Sequence, residues 1–189
     1  SIASDVSDDV YNLTPKVQNE LVVREKVSTM AVAASHSLIF RILNNASEKN
    51  LGMEGYPAEY GIYLSIIKAN KLHKLSKGEF KFVEPSKSNK ELSALHNEFN
   101  KHIKSKEEPT SLNELYDLFS KQPYGIKKGL IPILLASFYM TNEGSFALYN
   151  TDEQGKEFLI TDYNKRICER FISTPETLKM MFVKIEGEK

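Results

Sequence analysis

A single apolar run constrains this chain more than any other feature. From Leu130 to Met140, only Ser137 is clearly polar. A helix that is apolar on nearly every side must be buried on nearly every side. Pro132 is compatible with such a helix, because it falls in the first turn, where the backbone N–H groups lack intrahelical partners anyway. We therefore predict a central helix over residues 128–141 that is enclosed by the rest of the fold.

Helix signals recur along most of the remaining chain. Ser28 is a predicted N-cap of a long helix whose apolar residues cover more than one face. A helix over 58–73 follows the turn Gly55-Tyr56-Pro57, and capping boxes at 88–91 and 111–114 open helices that reach about Ser105 and residue 121. Further helices are predicted over 3–12, after Thr14-Pro15, over 162–172 and after Thr174-Pro175.

Alternating patterns predict a smaller amount of β-structure. Strands over 145–150 and 157–161 enclose a turn and form an antiparallel hairpin, and 181–185 reads as a final strand. Residues 79–83 alternate as an edge strand or an extended connector would. The predicted fold class is mainly α with a small antiparallel β-hairpin.

Breaker residues divide the chain into two predicted subdomains. We expect a helical bundle over 1–75, a linker over 76–87 and a winged-helix-like subdomain over 88–189. The last expectation comes from the order helix, tight turn, helix, hairpin over 110–161. A winged helix that reads DNA needs an exposed polar face on a helix that reaches base edges. The helix over 128–141 has almost none, which favours a packing role for this subdomain.

The sequence shows no pattern typical of catalysis or metal binding. It contains no nucleotide-binding glycine loop, no H-E-x-x-H and no G-x-S-x-G. We interpret His36, His73, His96 and His102 as surface residues, because their spacing does not suit a metal. Cys168 is the one cysteine, so an internal disulfide is impossible, and we expect a small helix residue. We predict no enzyme activity, no cofactor and no metal.

Composition restricts the partners and the compartment. The 189 residues carry a formal net charge of zero. The chain as a whole is therefore not a basic nucleic-acid-binding protein. No window reaches the length of a membrane span, and residues 1–12 lack the apolar core of a signal peptide. We therefore predict a cytoplasmic protein without membrane contact. The chain begins at Ser1 without an initiator Met, which leads us to expect a piece of a longer protein.

Lysines are concentrated in one part of the chain. Seven lysines stand between residues 68 and 90, against Glu79 and Glu84, and aromatic residues interleave with them. Such a segment can follow a phosphate backbone, or it can be a solvated connector, which is the interpretation we favour. Lys127-Lys128 is a second possible phosphate contact. The candidate DNA-binding residues are Lys68, Lys71, Lys74, Lys77, Lys81, Lys127 and Lys128.

Three segments together resemble a known group of proteins. They are residues 15–21 (PKVQNEL), 55–64 (GYPAEYGIYL) and 123–136 (PYGIKKGLIPILLA), the last followed by 146–149 (FALY). This pattern resembles the region beyond the ATPase domain of large bacterial P-loop ATPases that are associated with phage defence and restriction, including BREX-type systems. The resemblance implies that the chain is a non-catalytic part of such a protein, with the Walker motifs elsewhere.

Three functions remain as alternatives at this point. The first is an accessory interaction domain that contacts the rest of a larger parent protein or another protein subunit. The second is a winged-helix-like module that contacts the phosphates of double-stranded DNA through lysines. The third and least favoured is a small enzyme with a site of scattered residues. An exposed apolar patch would favour the first, a contiguous basic face the second and a polar pocket the third.

Overall fold

The computed structural model describes residues 28–184 of the chain, and six α-helices lie within that range. They are α1 Thr29–Asn44, α2 Ala58–Ile62, α3 Lys90–Lys104, α4 Leu112–Ser120, α5 Ile131–Thr141 and α6 Lys165–Ser173. A 3₁₀ turn, Lys49–Gly52, precedes α2; a π-helical segment, Tyr63–Lys68, continues α2; a second 3₁₀ turn, Pro175–Thr177, follows α6. The helices predicted within residues 1–27 and the end of the strand predicted over 181–185 lie outside the described residues.

Side chains cap four of these helices, and two of the caps, Ser28 and Ser111, are residues that the sequence predicts; Asn164 caps α6. The Ser28 hydroxyl accepts a hydrogen bond from the N–H of Ala31 at 3.2 Å and starts α1. Ser111 accepts from the N–H of Asn113 at 3.2 Å and starts α4. In α3 the cap is Asn89, one residue after the predicted Ser88, because its side-chain oxygen is the one that lies 3.4 Å from the N–H of Leu92.

The strands form two separate sheets. Strands β1 His73–Ser76 and β2 Glu79–Phe82 make a two-stranded antiparallel hairpin. Strands β3 Thr110–Ser111, β4 Phe146–Thr151, β5 Glu157–Leu159 and β6 Leu178–Phe182 make an antiparallel sheet in the order β3-β6-β4-β5. The prediction of a mainly α fold with one small hairpin is therefore confirmed only in part: half of the structure is helical, but a four-stranded sheet stands beside the hairpin.

The central helix α5 is buried along almost its whole length. All ten residues from Ile131 to Met140 are buried, and α1, α4 and β2 pack against them. The hydroxyl of Ser137 donates a hydrogen bond to the carbonyl of Ile133 at 2.7 Å, so the one polar side chain of the run is satisfied within the helix. The helix begins at Ile131 rather than at residue 128, because 128–130 form a turn. No helix among residues 28–184 is long and apolar enough to cross a bilayer.

One continuous cluster of buried apolar side chains includes residues from both predicted subdomains. Leu38 and Ile67, from the N-terminal part, belong to the same cluster as Leu95 and Phe138. Phe82, inside the predicted linker over 76–87, is a buried member of the same cluster. The division into folding units at 1–75 and 88–189 stays a prediction, and the shared core makes it directly testable.

The predicted helix over 58–73 ends earlier than the sequence suggests. Helical structure stops at Lys68, and Lys71 adopts a left-handed backbone conformation with φ 54° that no α-helix can continue. His73 then begins β1 instead of ending a helix. The apolar residues Leu72 and Leu75 fit helical and strand patterns equally well over so short a run, which is why the pattern misleads.

The prediction that all four histidines lie at the surface is wrong for two of them. His73 and His96 are both buried, and burial lowers the pKa of each below that of a free histidine. Nε2 of His96 lies 3.0 Å from the hydroxyl oxygen of Thr141, and its ring packs on Phe138. Cys168 lies buried in α6, as expected, and burial raises the pKa of its thiol to about 12.

Candidate functional site

Five of the seven predicted DNA-binding lysines lie on one segment, residues 68–82, which we call the lysine hairpin. All five are exposed: Lys68, Lys71, Lys74, Lys77 and Lys81. Lys68 ends the π-helical segment, Lys71 lies in the turn before β1, and Lys77 lies in the turn between the strands. The five lysines are therefore distributed over the end of the π-helical segment, two turns and the two strands.

The register of the hairpin separates its two faces. Lys74 pairs with Lys81 directly across the strands, so both side chains project from the same face. His73 pairs with Phe82 and Leu75 with Phe80, which places these four side chains on the opposite face. The first face also carries the pair Ser76 and Glu79, so it is polar with an excess of lysine, whereas the opposite face is apolar apart from His73.

A two-residue turn projects Lys77 from the tip of the hairpin. Lys77 and Gly78 both have positive φ, 52° and 88°, as the tight hairpin turn with a right-handed strand twist requires. Glycine adopts this conformation at no steric cost, whereas a lysine there is uncommon.

No described carboxylate neutralises the lysine hairpin. None of its five ammonium groups forms an ion pair with any residue of 28–184. Glu79, the one acidic residue on the two strands, pairs across them with Ser76. Like charges directly opposite each other on a sheet are destabilising. The segment therefore carries five lysines against one glutamate, an excess of positive charge with no ion pair among the described residues.

A buried hydrogen-bond network fixes the base of the hairpin. Nδ1 of His73 lies 3.0 Å from the hydroxyl oxygen of Tyr63, and Nε2 of His73 lies 2.7 Å from the carbonyl oxygen of Ala46. Since the carbonyl can only accept, Nε2 carries the proton and Nδ1 accepts from the tyrosine. Burial raises the pKa of Tyr63 to about 12, so the hydroxyl keeps its proton.

Aromatic rings connect this network to the surface. Tyr56 packs edge-on against Tyr60 with ring centres 5.7 Å apart, and Tyr60 stacks on Tyr63 at 6.2 Å. The ring of Tyr63 contacts His73, whose ring contacts Phe80 and Phe82 on the hairpin. Tyr56 is 91% exposed. An exposed aromatic ring of this kind is a surface on which a base or another ring can stack.

The other two predicted lysines belong to a different segment. Lys127 and Lys128 are exposed in the stretch that leads into α5. No hydrogen bond or ion pair within residues 28–184 links them to the lysine hairpin. These two lysines form a second cationic point on the surface, outside the segment 68–82.

A polar cleft of about 680 Å³ lies elsewhere, along the outer stripe of α1. Arg41 and Glu59 both line it and form an ion pair, with Nε of the arginine 3.0 Å from Oε1 of the glutamate. Lys165 and Glu169 of α6 also line the cleft, as does His36 of α1, whose pKa is lowered chiefly by burial. Opposite charges balance in this cleft. Within residues 28–184, no three side chains of the metal-binding types come together in a group that could hold a metal ion.

The sequence identifies the lysines but does not reveal the strand pairing that places two of them side by side. The cross-strand pairing of Lys74 with Lys81 was hidden because residue 74 directly follows the predicted helix 58–73. The dipeptide Lys77-Gly78 between two short alternating runs is the signal that could have revealed the hairpin. In the comparisons with known proteins, the chain matches no family model, no curated protein and no solved structure.

Proposed function

We propose that this chain is a non-catalytic accessory domain of a larger bacterial defence-type ATPase, and that its lysine hairpin contacts the phosphate backbone of double-stranded DNA. The resemblance of the three sequence segments supports the first part of this proposal. The uncompensated cross-strand pair of Lys74 and Lys81 supports the second part. Lysines that neutralise phosphates release counterions, and this release drives binding without sequence preference.

The proposed contact differs from the way a winged helix reads bases. We propose that the order α3, α4, α5 and the hairpin β4–β5 serves as a winged-helix-like packing unit. In that order α5 would be the reading helix, but Ile131–Met140 are buried and reach no ligand. Strand β6 also stands between β3 and β4. Phosphate contact through the hairpin needs neither base readout nor an exposed α5.

Fluorescence anisotropy of the full chain with a labelled duplex tests this proposal. We expect binding that weakens steeply between low and physiological salt. The double variant Lys74→Gln/Lys81→Gln should reduce the slope of log affinity against log salt by about 2, since each lost phosphate contact removes about 1. Lys101→Gln/Lys121→Gln removes the same charge from exposed positions elsewhere and should leave the slope unchanged.

Two results would contradict the DNA contact. The first is no binding by the unaltered chain even at low salt. The second is an equal loss of binding in both double variants, since that would reflect overall charge rather than the hairpin. Lys127→Gln/Lys128→Gln, measured in the same series, decides whether the second cationic point also contacts phosphates.

Contact with another protein is a second candidate function, and the edge strand β5 favours it. Phe158 and Leu159 on this strand are 46% and 56% exposed. Ile160 donates its N–H to Leu148 and Asp152 donates its N–H to Lys156, so the alternate residues Glu157 and Leu159 direct their backbone groups away from β4. An extended segment of another protein can pair with such an edge.

Hydrogen exchange tests this second candidate. The N–H groups of Glu157 and Leu159 should exchange freely in the isolated chain and become protected in the larger parent protein. Exchange at the same rate in both would exclude pairing at this edge.

A further inference from the structure

A second polar cavity, of about 610 Å³, lies between α6 and the turn that joins β4 to β5. Its volume is within the range of roughly 300–1,000 Å³ that is usual for small-molecule sites. Two guanidinium groups and three threonine hydroxyls line it, together with one stretch of turn. The lining side chains used below are Thr151, Asp152, Glu153, Arg166, Arg170 and Thr177.

The two arginines present unpaired cations to this cavity. Arg166 and Arg170 are four residues apart, so they project from the same face of α6. No carboxylate of residues 28–184 lies within ion-pair distance of either guanidinium group. Arg170 is partly buried and donates one hydrogen bond, to the side-chain oxygen of Asn150. A guanidinium has five N–H donors, so most of those on Arg170 remain available.

The wall opposite the arginines supplies neutral polar groups. The hydroxyl oxygen of Thr151 is shielded from solvent and has no hydrogen-bond partner among the described residues. The hydroxyl of Thr177 donates to the carbonyl of Thr174 at 2.7 Å, which leaves its oxygen free to accept.

Two acidic residues occupy the rim. One oxygen of Asp152 accepts hydrogen bonds from the N–H groups of Gln154 and Lys156, at 2.9 Å and 2.8 Å, and is directed into its own turn. Glu153 is exposed. These carboxylates would repel a ligand that carries negative charge along its whole length. They suit a ligand that is anionic at one end and carries hydrogen-bond donors at the other.

We propose that this cavity binds a small phosphorylated polyol, with its phosphate group between Arg166 and Arg170 and its hydroxyl groups toward Asp152 and Glu153. Arginine recognises the anionic phosphate group through paired, charge-assisted hydrogen bonds, which are roughly twice as strong as hydrogen bonds between neutral groups. The site is remote in sequence from the lysine hairpin. Neither proposal depends on the other.

Titration calorimetry of the full chain with ribose 5-phosphate tests the site. We expect saturable binding by ribose 5-phosphate, weaker binding by inorganic phosphate and none by ribose. Arg170→Gln and Arg166→Gln should each weaken binding by about tenfold or more, because each removes a charge-assisted contact. Lys165→Gln removes the same charge one residue away, on the side of α6 that lines the cleft along α1, and should change affinity less than twofold.

The chemical shifts of the unaltered chain give a second test that does not depend on the folding of any variant. Ribose 5-phosphate should shift the backbone signals of Thr151, Arg166, Arg170 and Thr177 and leave those of the lysine hairpin in place. No saturable binding by ribose 5-phosphate would overturn the proposal, as would shifts that are confined to the hairpin. Equal affinity for inorganic phosphate and ribose 5-phosphate would overturn the role given to Asp152 and Glu153.

Discussion

Lys74 and Lys81 face each other across the two strands of a hairpin, with no acidic partner among the described residues. A cross-strand pair of like charges destabilises a sheet, and an opposite pair stabilises it, by roughly 0.2–1 kcal/mol. The hairpin therefore holds an arrangement that is unfavourable for stability alone. Such an arrangement is expected where a surface serves to attract an anion.

Reversing one charge of this pair should make the protein more stable. Lys74→Glu places a carboxylate opposite Lys81, and we expect the free energy of unfolding to rise by about 0.5 kcal/mol, measured by urea denaturation. Lys74→Glu/Lys81→Glu restores a pair of like charges and should lose this gain. An unchanged or lower stability of the single variant would mean that the two side chains do not interact.

The ion pair between Arg41 and Glu59 should matter more than a surface pair. Glu59 is only 7% exposed, so removal of its partner leaves a buried carboxylate without compensation. We expect Arg41→Met to lower the free energy of unfolding by about 2 kcal/mol, a value below the usual cost for a fully buried pair because Arg41 is partly exposed. Lys179→Met breaks the more exposed pair with Glu157 and should cost less than about 1 kcal/mol. Equal costs would refute the distinction.

The buried His73 should make stability depend on pH. Burial lowers its folded pKa below the unfolded value of about 6.5, so between the two values only the unfolded chain takes up a proton. Stability from this residue is therefore complete above about pH 6.5 and is lost as the pH falls below it. In denaturation curves recorded at several pH values, His73→Gln should flatten this decline by up to about 1.4 kcal/mol per pH unit. An identical slope in the variant and the unaltered chain would show that His73 takes up its proton equally in both states.

Residues 88–189 should not fold as an independent unit. Alone they lack α1 and β2, which both pack on the buried α5. We expect this fragment to unfold without a cooperative thermal transition and to bind a hydrophobic dye, in contrast to a fragment over 28–189. A sharp transition in the shorter fragment would instead support the predicted boundary at 76–87.

Local chemistry allowed much of this fold to be predicted. The N-caps Ser28 and Ser111 and the apolar run of α5 are short-range signals, and the structure has a helix at each of them. The order of strands in the larger sheet, by contrast, does not follow from short-range signals. β6 lies between β3 and β4 because of pairings that are distant along the chain, and no local pattern encodes which strands become neighbours.

The candidate sites show the same limit. The sequence identified the lysines as an excess of charge, but only the register reveals that Lys74 and Lys81 share a face. The sequence does not single out Arg166 and Arg170, because their significance depends on the turn near residue 152, which lines the same cavity. Neighbours that are brought together by tertiary structure leave no trace in a window of adjacent residues.

The complete burial of α5 also bears on how the chain is made. A segment as apolar as Ile131–Met140 is prone to aggregate if it leaves the ribosome with nothing to cover it. The elements that pack most closely on it, α1, β2 and α4, all precede it along the chain. Translation therefore produces the elements that cover α5 first, and the most aggregation-prone segment of the nascent polypeptide follows them.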